Sequence, residues 1–382
     1  MPARPRLALS LSLPPALRPA LCLSLPLSLP LSLRLSLRLS LRPALRRVLL
    51  VLGALLLSGC GQAMLQQPGP GPDTVRLEPD WAIAEDGYRL PLRHWPAESE
   101  PAREPRALVL AVHGFNDHGG SFDVMAEALA PHGIATYAFD QRGFGLTAQR
   151  RIWPGHRRLV ADVHHLVTLL QARHPDTPLY LVGKSMGAAV VLLTLADDPP
   201  PVAGSVLIAP AVWGFEAMPW YQRASLWLGV RLIPSVSFSA SSVRRLGIEP
   251  TDDPEIMARL ARDPLILRSA RVDTLHGVSE TMSLALNAAE RLPGPALILY
   301  GDADEVIPAE AACALLERLP AQATDAPAWR LALYPEGYHM LTRYTRRERT
   351  EADLATWLLD PAAALPSGHE VSQAEARDAL CR

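Results

Sequence analysis

Leu179-Tyr180-Leu181-Val182-Gly183-Lys184-Ser185-Met186-Gly187-Ala188-Ala189-Val190-Val191-Leu192-Leu193 changes character at its centre. Residues 179–182 are an apolar run of the kind that forms a buried strand, and residues 188–193 suit a helix. Between them stands Gly-x-Ser-x-Gly, the pattern of a strained strand-to-helix turn that lifts a serine hydroxyl clear of its neighbours. Glycine is required on both sides because a Cβ there would collide with the adjoining strand and helix. Ser185 is therefore the candidate nucleophile.

The same alternation continues on either side. Residues 107–112, 134–139, 205–209, 296–300 and 329–334 read as buried strands, preceded by a hairpin over 75–84 and 88–95. Helical spacings fall between them, at about 121–131, 157–174, 186–196, 309–319 and 346–358. Strands alternating with helices predict an α/β fold, a mostly parallel eight-stranded sheet with helices on both faces. The alternation fails over about 213–290, too long for a plain connection, which predicts an inserted and largely helical lid.

A serine hydroxyl is a weak nucleophile at neutral pH and needs a base, an orienting carboxylate and donors for the oxyanion. In a nucleophile-elbow fold these follow in the chain order Ser, Asp, His. Asp304, in Gly301-Asp302-Ala303-Asp304, follows a strand, and His339, in Glu336-Gly337-Tyr338-His339, follows the last one. Both thus fall at strand C-terminal ends, where open α/β sheets bind their ligands. Asp302 is the alternative acid. His164 and His165 lie in a helical pattern, whereas His113 and His118 are nearer the site but precede the serine. Ala111-Val112-His113-Gly114-Phe115 closes the third strand, and its loop can aim the Phe115 amide, with that of Met186, at an oxyanion; His113 itself reads as a packing residue. Lys184 is the only lysine in the chain, which reads as genomic base composition and not as chemistry.

Taken together, His113-Gly114-Phe115-Asn116-Asp117-His118, Phe139-Asp140-Gln141-Arg142-Gly143-Phe144-Gly145, the elbow, Asp263-Pro264-Leu265, the Asp304 segment and His339 resemble the monoacylglycerol lipase and lysophospholipase branch of the α/β-hydrolases, from about residue 86 to 357. The resemblance implies a triad of Ser185, Asp304 and His339, with Phe115 and Met186 as oxyanion donors. It selects Asp304 over Asp302. The chain departs from the pattern at Lys184, where the family more often has histidine, and at Phe115, where it more often has glycine or another residue. Trp213, Phe215, Met218, Trp220, Tyr221 and Trp227 crowd the start of the lid, which suits an acyl chain. The expected reaction is hydrolysis of a lipid-like carboxylic ester, without metal or cofactor. A thioesterase, an acyltransferase, a carbon–carbon bond hydrolase on the same fold and a non-catalytic envelope binding protein are the competing readings.

The N-terminal region adds an address. Arg46-Arg47, a ten-residue apolar run over 48–57 and Leu57-Ser58-Gly59-Cys60 have the anatomy of an export signal, and the run is shorter than the ~20 residues that span a bilayer. The last four residues resemble the lipobox of bacterial lipoproteins, which implies acylation of Cys60 and anchoring in the cell envelope. Gly61 after the cysteine resembles lipoproteins sent to the outer membrane. Residues 7–41 are low-complexity leucine alternations without a folded role, so translation is expected to start near Leu37 to Arg46. The organisation expected is a leader and signal over 1–59, a lipidated flexible tether over 60–73 and the hydrolase domain over 74–382. Residues 1–59 hold eight arginines and no acid, leaving 29 basic against 39 acidic side chains, a formal −10. Such a domain repels phosphate backbones, so nucleic acid is not an expected partner. Cys313 and Cys381 are expected to be free.

Overall fold

Strand β4 (Ala107–Val112) sends Leu108, Leu110 and Val112 into one buried cluster and Ala107, Val109 and Ala111 into another. The period of two places both faces of the strand in a core, so the sequence there is continuously apolar. The same holds for β5 (Ile134–Phe139), β6 (Leu179–Lys184), β7 (Gly204–Ile208) and β10 (Ala296–Gly301), in which every residue is buried. With β11 (Trp329–Tyr334) they form a parallel set, extended on one side by the antiparallel β1 (Arg76–Leu77), β2 (Trp81–Ile83) and β3 (Arg89–Trp95). The strand order is β1-β2-β3-β5-β4-β6-β7-β10-β11-β12, where β12 (Glu370–Val371) pairs antiparallel with β11. These relations come from a computed structural model that describes residues 63–98, 104–239, 248–321 and 328–381. The leader, the signal and Cys60 lie outside the described residues.

The sheet thus has ten strands where eight are expected. Glu78 to Asp80 turn the chain back, with the Glu78 amide donating to the Trp81 carbonyl, and divide the stretch 75–84 into β1 and β2. The two-residue β12 has no apolar run to announce it.

Helices cover both faces. On one side lie α1 (Asp123–Leu129) and α8 (Arg347–Leu359). On the other lie α2 (His156–Arg173), α3 (Met186–Ala196), α6 (Val272–Ala288), α7 (Ala309–Arg318) and α9 (Gln373–Leu380). Between β7 and α6 stand α4 (Trp220–Leu232), β8 (Ser237–Ser239), α5 (Pro254–Arg262) and β9 (Ser269–Arg271), with β8 and β9 paired antiparallel. The insertion expected over 213–290 is shorter in one respect, because α6 joins the main core through Val278, Ala285 and Leu286.

Two expectations fail. Cys313 and Cys381 are not free but disulfide-bonded: α9 packs on α7 and brings their Cα atoms within 5.1 Å, across 68 residues of sequence. A sequence separation that large hides the pairing. The stretch read as a flexible tether is, from Met64 onward, attached to the fold. Gln66 is 2% exposed, its side chain donates to Tyr88 Oη and the Ala148 carbonyl, and its carbonyl accepts from Arg158. The Met64 amide donates to Asp273, and Gly69 and Gly71 donate to Asp86. Proline and glycine set a local composition there, but side chains far along the chain supply partners for the backbone.

Candidate active site

At the end of β6 the chain reverses into α3 through Ser185, whose φ of 54° and ψ of −120° place a non-glycine residue in a strained conformation. Its amide donates to the Ile208 carbonyl of β7, while its carbonyl accepts from the amides of Ala188 and Ala211. The backbone is therefore held from both neighbouring elements. The flanking glycines are sterically compulsory: a Cβ at Gly187 would lie 1.9 Å from the Val112 carbonyl oxygen, and one at Gly183 2.5 Å from the Ala188 Cα. Between residues 179 and 192 only Ser185 is not buried. Met186, next to it, opens α3, where a first-turn amide has no intrahelical acceptor and faces outward from the helix end.

The loop after β4 lies against this serine. A Cβ built on Gly114 would stand 3.2 Å from Ser185 Cβ and 3.8 Å from its Oγ. Phe115 is half-buried and packs its ring on Phe144, edge to face at 5.8 Å. His113 is fully buried: Nδ1 donates to the Gly114 carbonyl at 2.7 Å and Nε2 accepts from the Gln141 amide at 2.9 Å. Those two bonds require the neutral ring, and burial pushes its pKa down to about 4.

On the same sheet edge, the ends of β10 and β11 bring Asp304 and His339 together. Asp304 Oδ2 accepts from His339 Nδ1 at 2.8 Å, while Oδ1 accepts from the amides of Val306 and Ile307 at 2.8 and 2.9 Å. Both side chains are buried. The two loops meet because Gly301 has no side chain; a Cβ there would fall 2.1 Å from the Gly337 carbonyl oxygen. Asp302 is exposed and accepts from the Glu336 amide at 2.6 Å, so it braces the turn and leaves His339 to Asp304. A histidine held through Nδ1 by a carboxylate presents Nε2 as a base, and a serine on a strained turn with amides beside it can be acylated.

Lys184 contradicts its reading as mere composition. It is 3% exposed, its ammonium pairs with Asp117 Oδ2 at 2.9 Å and donates to Ser121 Oγ at 3.1 Å, and it lies 5.3 Å from the centre of the Phe122 ring. Burial pushes the Lys184 ammonium below its ordinary value despite the Asp117 charge. Burial also pushes the Asp117 carboxyl up, but Lys184 outweighs that and holds it well below the usual carboxylate range. The signal was present in the sequence: a charged residue closing an apolar buried strand must find a partner. Nearby, His118 Nε2 bonds Asp263 Oδ2 at 2.9 Å, tying the loop after α5 to the loop after β4.

The aromatic cluster divides. Trp213 packs against the core and Phe215 stands by His276. By contrast α4 buries no residue, and Trp220 is 78% and Trp227 55% exposed.

A family model described as "Serine aminopeptidase, S33" matches residues 103–345. Among curated proteins, the monoacylglycerol lipase of Mycolicibacterium smegmatis is 27% identical over 271 residues, covering 68% of this chain and 90% of its own length. The human monoglyceride lipase is 28% identical over 263 residues, covering 68% of this chain and 82% of its own. Among solved structures, a soluble variant of the monoglyceride lipase of Saccharomyces cerevisiae bound to a substrate analogue superimposes with a TM-score of 0.61 at 21% identity, over 78% of this chain and 100% of the other.

Proposed function

The chain belongs to the serine aminopeptidase S33 family and has the α/β-hydrolase fold, and from that premise we propose that it is a serine hydrolase of lipid-like carboxylic monoesters. The observation that carries the reading is the 2.8 Å bond between Asp304 and His339 on the sheet edge where strained Ser185 emerges. Ser185 Oγ attacks the ester carbonyl as His339 Nε2 takes its proton. The amides of Phe115 and Met186 stabilise the oxyanion, and Asp304 holds the ring in the Nδ1–H tautomer and stabilises the imidazolium. His339 returns the proton to the leaving alcohol, and water, activated by the same base, hydrolyses the acyl-enzyme.

An apolar acyl group is favoured by the aromatic segment 213–238 and by the names of the curated relatives, monoacylglycerol and monoglyceride lipases. Acylation of Cys60 would hold the protein at an envelope membrane, the outer membrane by the residue that follows it. Two features support export and anchoring. The Cys313–Cys381 disulfide suits an oxidising compartment. Trp220 and Trp227 are exposed on α4, which carries arginines and no acid and so suits an anionic lipid surface.

Hydrolysis of monoacylglycerols, lysophospholipids, and short and long p-nitrophenyl esters by residues 61–382 tests the reading. Turnover rising with acyl length is expected, and a protein inert on every ester would overturn it.

A further inference from the structure

The steps above make no use of the ion pair beneath the nucleophile. Lys184 alternates to the face of β6 that carries Tyr180 and Val182, and so points to the layer holding Phe122 rather than to solvent. Its polar partners, Asp117 and Ser121, belong to one stretch, the connection from β4 to α1 that opens with His113-Gly114-Phe115. Asp117 closes a turn in that stretch: its amide donates to the Gly114 carbonyl at 3.3 Å, with Phe115 and Asn116 at the corners and Asn116 at a φ of 61°. Its second carboxylate oxygen accepts the His118 amide at 2.9 Å. The last residue of the turn is thereby bonded to the residue before Ser185, and the first, Gly114, lies so near the serine that a Cβ on it would stand 3.2 Å from Ser185 Cβ. A turn bonded to the elbow at one end and closely approaching it at the other has little freedom to move the amide of Phe115 relative to Oγ.

We propose that Lys184 is a positioning residue for ester hydrolysis, holding the 113–118 turn through Asp117 so that the Phe115 amide stands where the oxyanion forms. The role rests on the serine-hydrolase reading, and its test separates the two. Leaving either charge alone in this buried site would unfold the elbow for trivial reasons, so the informative variant is Lys184→Met/Asp117→Leu, which replaces the pair with apolar side chains of similar volume. Turnover of a p-nitrophenyl ester is normalised to sites titrated with a fluorophosphonate, and affinity is measured for an alkyl boronic acid, whose adduct on serine mimics the tetrahedral intermediate. A lost or misplaced oxyanion donor costs about 10²- to 10³-fold in kcat. The expected result is a variant that melts as the wild type does, keeps KM within about threefold, and loses about 10²-fold in kcat and a similar factor in boronate affinity. A variant with wild-type melting and a kcat within about threefold of wild type overturns the positioning role while Ser185 is still labelled. Absence of wild-type labelling at Ser185 overturns the hydrolase reading, and the proposal with it.

If the paired variant does not fold, the wild-type enzyme decides. Because Lys184 is the only lysine, a chain grown on 13Cε-lysine gives one lysine resonance. A shift of that resonance on boronate binding supports the coupling, and a resonance unmoved at saturating boronate overturns it.

Discussion

Asp304→Asn separates orientation of the base from mere presence of a polar group. Asp304 Oδ1 accepts two amide protons, from Val306 and Ile307, and Oδ2 accepts one from His339 Nδ1. In the asparagine variant the carbonyl oxygen must stay on the two amides, since an NH2 group there would meet two donors. The NH2 group is then turned to His339 Nδ1, which can only accept, and the ring takes the Nε2–H tautomer. That ring cannot receive the Ser185 proton. The loss expected for a wrong tautomer is about 10⁴-fold in kcat, roughly 5 kcal/mol of transition-state stabilisation. KM and the melting temperature should change little, because the two backbone bonds remain. The assay is kcat and KM on a p-nitrophenyl ester at pH 7.5, with Asp302→Asn as comparison; Asp302 is exposed and braces a turn, so its variant should stay within about threefold. A loss below tenfold in Asp304→Asn, or an equal loss in both, would show that Asp304 does not set the His339 tautomer.

Three further outcomes follow from particular contacts. His113 has a folded pKa pushed down to about 4 from an ordinary 6.5 by burial, so as pH falls the unfolded chain takes up the proton first. Stability is then lost between pH 6.5 and 4, by about 3 kcal/mol in all at roughly 1.4 kcal/mol per unit; urea midpoints at pH 7 and 4.5 should show that slope, reduced in His113→Asn. Gly187→Ala puts a Cβ 1.9 Å from the Val112 carbonyl oxygen, and its yield of soluble folded protein should collapse, whereas native melting would contradict the elbow geometry. Reduction of Cys313–Cys381 reopens a 68-residue loop and should cost up to about 4 kcal/mol on the chain-entropy argument, read as a lower urea midpoint in dithiothreitol.

Much of the fold was legible because it rests on local signals. The parallel strands announce themselves as apolar runs, since both faces are buried, and Gly183 and Gly187 mark a turn that admits no other residue. Chain order and strand ends pointed to His339 and to Asp302 or Asp304, the family resemblance selected Asp304, and the structure bonds Asp304 to His339. What was not legible depends on distant partners. The strap at Met64 to Gln66 is held by Asp273, Trp153 and Arg158, the disulfide by packing of α9 on α7, and Lys184 by a loop some 67 residues earlier. Composition describes none of these, because each depends on which segments the sheet order brings together. The exposure of Trp220 and Trp227 was hidden for the same reason: an aromatic cluster reads alike whether it packs inward or faces out.

Whether Ser185 is the nucleophile is decided by intact-mass analysis after treatment with a fluorophosphonate. A single adduct is expected on residues 61–382, mapped by digestion to the peptide containing Ser185. Ser185→Ala should lose both the adduct and ester turnover. An adduct on another residue, or turnover that survives in Ser185→Ala, would show that Ser185 is not the nucleophile.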